Sequence, residues 1–174
     1  MKTLTDEHVM QEVANGKLDM LKILFERHHK HIFNFLYKMS GDKVLSEDLT
    51  QDVFYKVMKY RTSYNNGKFI AWLFTIARNC LHTHYRRNKE DHDGLDTISH
   101  TLTAQQEEEQ ENHSHLKIAL DKLEASDREL LILNRFQEIK YAELAEIKES
   151  TPGAIKTKVN RALKKLRTVY FETI

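Results

Sequence analysis

Apolar residues recur three and four positions apart along most of the chain, the spacing that lines one face of a helix. Leu18, Leu21, Phe25, Ile32, Phe35 and Met39 form a first stripe, which Ser40-Gly41 ends. A second helix is expected from Ser46, a suitable N-cap with Glu47 and Asp48 in the first turn. It carries Leu49, Val53, Val57 and Tyr60. RTSYNNGK, from Arg61 to Lys68, reads as a loop, because Ser, Asn-Asn and Gly favour turns. A third helix then runs from about Phe69 to Arg87. It buries Phe69, Leu73, Ile76, Ala77 and Cys80, with Trp72 also in the core, and turns Arg78, Asn79, His82, Arg86 and Arg87 outward.

The pattern fails over residues 89–112, KEDHDGLDTISHTLTAQQEEEQEN, where apolar groups are too few to offset the entropy of ordering. This stretch reads as a flexible acidic linker between a first domain, residues 1–88, and a second, residues 113–174. In the second, Leu116, Ala119, Leu120 and Leu123 mark a short helix. Ser126-Asp-Arg-Glu129 has the form of a capping box ahead of a helix with Leu130, Leu133 and Phe136. Tyr141 to Ile147 is another short helix. Thr151 then caps a last one with Pro152 in its first position and Ile155, Val159, Ala162, Leu163, Leu166 and Val169 inward.

Composition agrees with an all-α fold of two small helical domains: one proline and five glycines in 174 residues are too few for an all-β chain full of tight turns. The one cysteine, Cys80, excludes an internal disulfide and fits a reducing compartment. No stretch approaches a membrane span and MKTLTDEHVM has no signal-peptide core, so a soluble, cytoplasmic protein is expected.

The net charge of +1 predicts no nucleic-acid partner by itself, but the charge is strongly separated. Ser150 to Phe171 holds six basic residues and no acid, whereas Glu107 to Glu111 holds four acids in five positions. Two helices, a tight turn and a basic outer face on the second are the parts of a helix-turn-helix. Lys156, Thr157, Lys158, Asn160, Arg161 and Lys164 would then meet DNA. Arg161 suits guanine and Asn160 adenine, and the lysines suit phosphates. The plainer alternative is a solvated charged face, against which the lack of any acid weighs.

Glu143 to Arg167, ELAEIKESTPGAIKTKVNRALKKLR, resembles the promoter-binding helix-turn-helix of extracytoplasmic-function sigma factors of bacterial RNA polymerase. The likeness reaches upstream through LEASDRELLILNRFQEIKYAELAEI. Two departures stand in the turn: Glu149 occupies the usual glycine position, and Ser150 the apolar one after it. Residues 46–87, SEDLTQDVFYKVMKYRTSYNNGKFIAWLFTIARNCLHTHYRR, resemble the polymerase-binding and promoter-melting domain of the same family. Both likenesses occur in the family's order.

The resemblance implies a sigma factor that binds core RNA polymerase, directs it to promoters and assists opening of the DNA. Opening requires capture of a base outside the stack, by aromatic faces and edge-reading polar groups. By resemblance, Tyr64 and Asn79 would help form the pocket for a flipped −10 base, with Asn65, Asn66 and Lys68 on the same loop. Arg78, His82, Arg86 and Arg87 would hold backbone phosphates. Taken alone, Tyr64 reads as a half-buried loop aromatic and Asn79 as a solvent-facing helix residue. Asp48, Gln51, Asp52 and Phe54 lie partly off the buried stripe of the second helix. By resemblance they would dock the clamp coiled coil of the polymerase largest subunit. A solvated acidic first turn is the alternative.

The resemblance also implies an anti-sigma factor as a partner. Ten histidines, among them His28, His29 and His31, match no standard zinc spacing, and no metal or other cofactor is expected. Phosphate loops and nucleophile elbows are missing, so neither an enzyme nor a small-molecule substrate is expected. The competing reading is a helix-turn-helix regulator that does not join core polymerase.

Overall fold

The computed structural model describes residues 3–91 and 111–173, which belong to two compact units. The first contains α1 (Asp6–Ala14), α2 (Leu21–Ser40), α3 (Lys43–Lys59) and α4 (Phe69–Asp91), with 3₁₀ turns at Leu18–Met20 and Arg61–Ser63. α2 and α3 pack side by side, α4 lies against both, and α1 closes the core against α2 and α4. Phe35 and Phe74 meet edge-on at 5.8 Å between ring centroids in its middle. Each such buried side chain contributes about 1.5–3 kcal/mol relative to exposure.

The stripe traced from Leu18 onward leaves out α1, a nine-residue helix ahead of it. Its start is nonetheless well specified, because Thr5 Oγ1 accepts from His8 N–H at 3.2 Å and Asp6 and Glu7 occupy the first turn. Val9, Met10 and Val13 are fully buried. The first stripe shifts accordingly: Leu24 and Leu36 are buried, whereas Leu18 sits exposed in the 3₁₀ turn and Phe25 is exposed. Tyr60, expected in the second stripe, is also exposed and forms the C-cap of α3.

The expected start of α3 is corrected by one turn. Gly41 leaves α2 in the left-handed region at φ 69°, and Asp42 is the N-cap, its carboxylate accepting from Leu45 N–H at 3.0 Å. Ser46 lies inside the helix, buried, and its hydroxyl donates to the Asp42 carbonyl at 2.6 Å.

The second unit contains α5 (Glu111–Lys122), α6 (Ala125–Leu131), α7 (Tyr141–Ile147) and α8 (Pro152–Thr173). α6 runs on into one π turn, Ile132–Phe136. α5, α6 and α7 all pack on α8 around Leu130, Leu131, Leu144, Ile155 and Val159. Thr151 caps α8 by accepting from Ala154 N–H at 3.2 Å, with Pro152 in the first position. The capping box is corrected: α6 begins after Glu124 without a side-chain cap, and Glu129 is buried instead. Of the linker expected at 89–112, residues 89–91 end α4 and 111–112 begin α5, and the remainder lies outside the described residues.

Candidate nucleic-acid and polymerase surfaces

The loop between α3 and α4 is held from beneath and from one side. Tyr64 is only 8% exposed, and its hydroxyl donates to the Gly67 carbonyl, pinning the loop to itself. Its ring meets Trp72 at 5.3 Å and Phe69 at 6.3 Å, both edge-on. Burial, with the Glu7 and Asp6 carboxylates nearby, pushes the Tyr64 phenol up to about 12. This corrects the expected display of Tyr64: the ring is a footing for the loop and offers no free face to a base. Trp72 is half-buried over the same footing.

Asn65, Asn66, Gly67 and Lys68 are exposed at the loop tip. Asn66 adopts φ 57°, a left-handed conformation that asparagine tolerates better than most residues. α1 holds this segment at two points. Gln11 Nε2 donates to Asn66 Oδ1 at 2.8 Å, and Glu7 Oε1 accepts from Phe69 N–H at 3.0 Å at the start of α4. A carboxylate there also complements the positive end of the helix. Sequence reasoning missed Glu7 and Gln11, since both partners lie more than 50 residues away.

On α4 the side chains of Asn79, His82, Arg86 and Arg87 are exposed and Arg78 is half-exposed. Helical spacing puts Arg78, His82 and Arg86 on one stripe with Asn79 beside it, while Arg87 falls to its flank. The stripe carries cations toward solvent next to a loop of amides, which suits a single strand with its phosphates on one side and its bases on the other.

α3 presents a different surface. Asp48, Gln51 and Asp52 are exposed, but Phe54 is buried with its ring edge-on to Phe25 at 5.0 Å. Phe54 is therefore core, and its expected docking role is corrected. The exposed aromatic is Tyr55, which shares with Val44, Asp48, Gln51 and Asp52 a single stripe at i, i+4, i+7, i+8 and i+11. Periodicity could have chosen Tyr55 over Phe54, since Phe54 continues the Val53 and Val57 side.

In the second unit the turn between α7 and α8 is closed by backbone bonds. Ser150 N–H donates to the Ala145 carbonyl at 2.8 Å, and Glu149 adopts φ 52°. Glutamate thus takes the left-handed conformation for which glycine would be the easy choice, and the helix-turn-helix keeps its form. Lys156, Thr157, Lys158, Asn160, Arg161 and Lys164 are all exposed on α8. They divide into two sides. Lys156, Asn160 and Lys164, with Thr157, face away from the core, whereas Lys158 and Arg161 line a cavity of about 300 Å³ with Ser126, Asp127, Leu130, Lys148 and Lys165.

Among the described residues no three His, Cys, Asp or Glu side chains gather to hold a metal ion. No helix among them is long and apolar enough to cross a membrane.

Comparison with known proteins covers both units. Residues 24–90 match Sigma-70 region 2, and residues 116–166 match Sigma-70 region 4. The chain is 30% identical over 167 residues to the RNA polymerase sigma factor CarQ of Myxococcus xanthus, spanning 94% of this chain and 96% of that one. It is 33% identical over 144 residues to the ECF RNA polymerase sigma factor EcfG of Rhodopseudomonas palustris, spanning 79% and 77%. Among solved structures it resembles the sigma factor RpoE of Bartonella quintana, determined in complex with the anti-sigma factor NepR. The TM-score is 0.72 at 28% identity, over 85% of this chain and 94% of that one. With region 2 ahead of region 4 and likeness to CarQ over nearly the whole length, the chain belongs to the extracytoplasmic-function sigma factors, which direct RNA polymerase to promoters.

Proposed function

We propose a division of labour among the three surfaces. The α3 stripe of Asp48, Gln51, Asp52 and Tyr55 docks the clamp coiled coil of core polymerase, acid against base with an aromatic at its end. The loop tip of Asn65, Asn66 and Lys68, with Asn79 on α4, receives an unstacked −10 base of the non-template strand. Arg78, His82, Arg86 and Arg87 hold the phosphates alongside. Tyr64 acts beneath the loop, as a support. Lys156, Thr157, Asn160 and Lys164 on α8 enter the major groove of the −35 element, with Lys158 and Arg161 at its margin.

The observation that supports this reading best is the pairing of an exposed amide loop with a cationic helix face, in the unit that matches region 2. A domain that served only to dock polymerase would need neither. The factor acts by binding and leaves bond-making to the polymerase, so it has no catalytic residues of its own, and its place of work is the cytoplasm. An anti-sigma factor is a further partner, supported by the complex in which the RpoE relative was determined.

Reconstituted holoenzyme on a linear promoter tests the reading. Asn79→Ala leaves holoenzyme assembly and closed-promoter binding intact but reduces permanganate-reactive thymines in the −10 region. A template already melted there restores transcription. Full opening by Asn79→Ala would remove Asn79 from the base site.

A further inference from the structure

α1 does more than fill the core. Its buried side, Val9, Met10 and Val13, locks it in place, and its Glu7 and Gln11, one turn apart, both reach the segment 66–69. Glu7 grips the loop's exit at Phe69 N–H, and Gln11 grips its tip at Asn66. The Asn66 backbone is itself held in the left-handed region. What remains adjustable is the side-chain amide, whose two ends differ: one accepts hydrogen bonds and the other donates. Gln11 donates to Oδ1. That bond turns the acceptor inward and leaves Nδ2, which has no protein partner among the described residues, facing whatever the loop meets.

We propose that Gln11 is a positioning residue for strand opening, which sets Asn66 to offer hydrogen-bond donors to the captured base. It would touch no nucleotide, and its effect would pass entirely through Asn66. A base offering a carbonyl oxygen, thymine O4 or guanine O6, is then favoured there over one offering an amino group, adenine N6 or cytosine N4. The inference rests on the base-capturing role proposed for the loop.

Substitution of Gln11 separates this role from mere support. Gln11→Ala frees the Asn66 amide to rotate, and should lower open-complex formation about fivefold, the worth of one ordinary hydrogen bond. Closed-promoter affinity should stay as in the parent, melting should fall by no more than the loss of that one bond, and a pre-melted template should restore transcription. Gln11→Glu keeps the contact but can only accept, so Asn66 must present Nδ2 inward and Oδ1 outward. That variant should open promoters within about twofold of the parent. Its base preference, scanned over each −10 position, should shift toward adenine or cytosine at one of them. In an Asn66→Ala background, Gln11→Ala should add nothing.

Normal opening by Gln11→Ala beside a defective Asn66→Ala overturns the inference and leaves the loop's role standing. So do effects of the two that multiply, or an unchanged base preference in Gln11→Glu. Normal opening by Asn66→Ala removes the loop's role, and the inference with it.

Discussion

Glu129 accepts a hydrogen bond from Lys148 at 3.0 Å, with side-chain exposures of 3% and 13%, joining α6 to the residue that ends α7. The pair ties the start of the helix-turn-helix turn to the body of the second unit. Removing Lys148 takes away the ammonium that stands 3.0 Å from the buried Glu129 carboxylate, and breaking a buried ion pair from one side is costly. Lys148→Met should therefore lower the stability of the second unit by about 3–5 kcal/mol, and adding Glu129→Leu should recover most of it. Urea unfolding followed by helix signal checks both. A double variant as unstable as the single one would show that the apolar pair cannot fill the same space.

Glu149 sits in the turn at φ 52°, where a side chain costs about 1–2 kcal/mol and glycine is free of that cost. Glu149→Gly should raise the unfolding free energy by about 1 kcal/mol, read as a higher urea midpoint and offset partly by greater freedom of the unfolded chain. Affinity for a −35 duplex should remain unchanged.

Phe54 and Tyr55 are neighbours with opposite fates, one buried and one exposed. Phe54→Ala should destabilise the first unit by about 3–5 kcal/mol through the cavity it leaves. Tyr55→Ala should leave melting unchanged and weaken association with core polymerase by at least 1 kcal/mol, if the ring is an interface anchor. Asp48→Arg with Asp52→Arg should abolish co-purification with core while both units stay folded. Retention of core by that double variant would count against the α3 stripe.

Lys164 and Arg161 test the two sides of α8. Lys164→Ala should weaken binding to matched and scrambled −35 duplexes alike and lower the salt slope by about one, the mark of a phosphate contact. Arg161→Ala should cost about 1–3 kcal/mol on the matched duplex alone if it reads a base edge. A uniform loss with Arg161→Ala would assign that side chain to the cavity with Lys158, Lys148 and Lys165 and to phosphates only.

Asp6 contributes to the acid sensitivity of the first unit. His28 Nε2 lies 2.7 Å from one carboxylate oxygen, and Arg27 Nη1 donates to the other at 2.9 Å. The hydrogen bond with His28, and beside it the Arg27 contact, hold the carboxyl below its ordinary 3.8, against the opposing pull of partial burial. A carboxyl with a lowered folded value contributes stability that is present above the unfolded value and lost as pH falls through the folded one. The advantage of the parent over Asp6→Asn that comes from the carboxylate should thus be present above about pH 5 and shrink below about pH 4. Paired urea titrations across that range read the difference directly. An advantage that persists unchanged down to pH 2 would remove Asp6 from this role.

How much was legible in the residues depended on how far each interaction reached. The broad stripes on α4 and α8 repeat over several turns, and periodicity found them; on α2 it found Ile32, Phe35 and Met39 but missed Leu24 and Leu36. Asp42 and Ser46 are four residues apart and both can cap, and local spacing could not choose between them. The choice follows from Gly41, which turns the chain one residue earlier. Ser126 and Glu129 had the form of a capping box, but Lys148 draws Glu129 inward from another helix. Tyr64 was placed in the right loop and on the wrong side of it, because Phe69 and Trp72 supply an apolar seat that a loop motif does not display. Glu7 and Gln11 lay beyond local reading altogether, with no signal nearer than their partners.

The bond from Phe69 N–H to Glu7 spans 62 positions, and this has a consequence for the order of events on the ribosome. α1 precedes α2 and α3 in the chain, yet its anchors at Asn66 and Phe69 are made only after both have been synthesised. α1 therefore lacks these two anchors until the beginning of α4 leaves the exit tunnel, with α2 available earlier to its apolar side. Locking of α1 onto the loop thus follows the synthesis of α3, and chains stalled before residue 69 has left the tunnel should leave this helix more accessible to proteases.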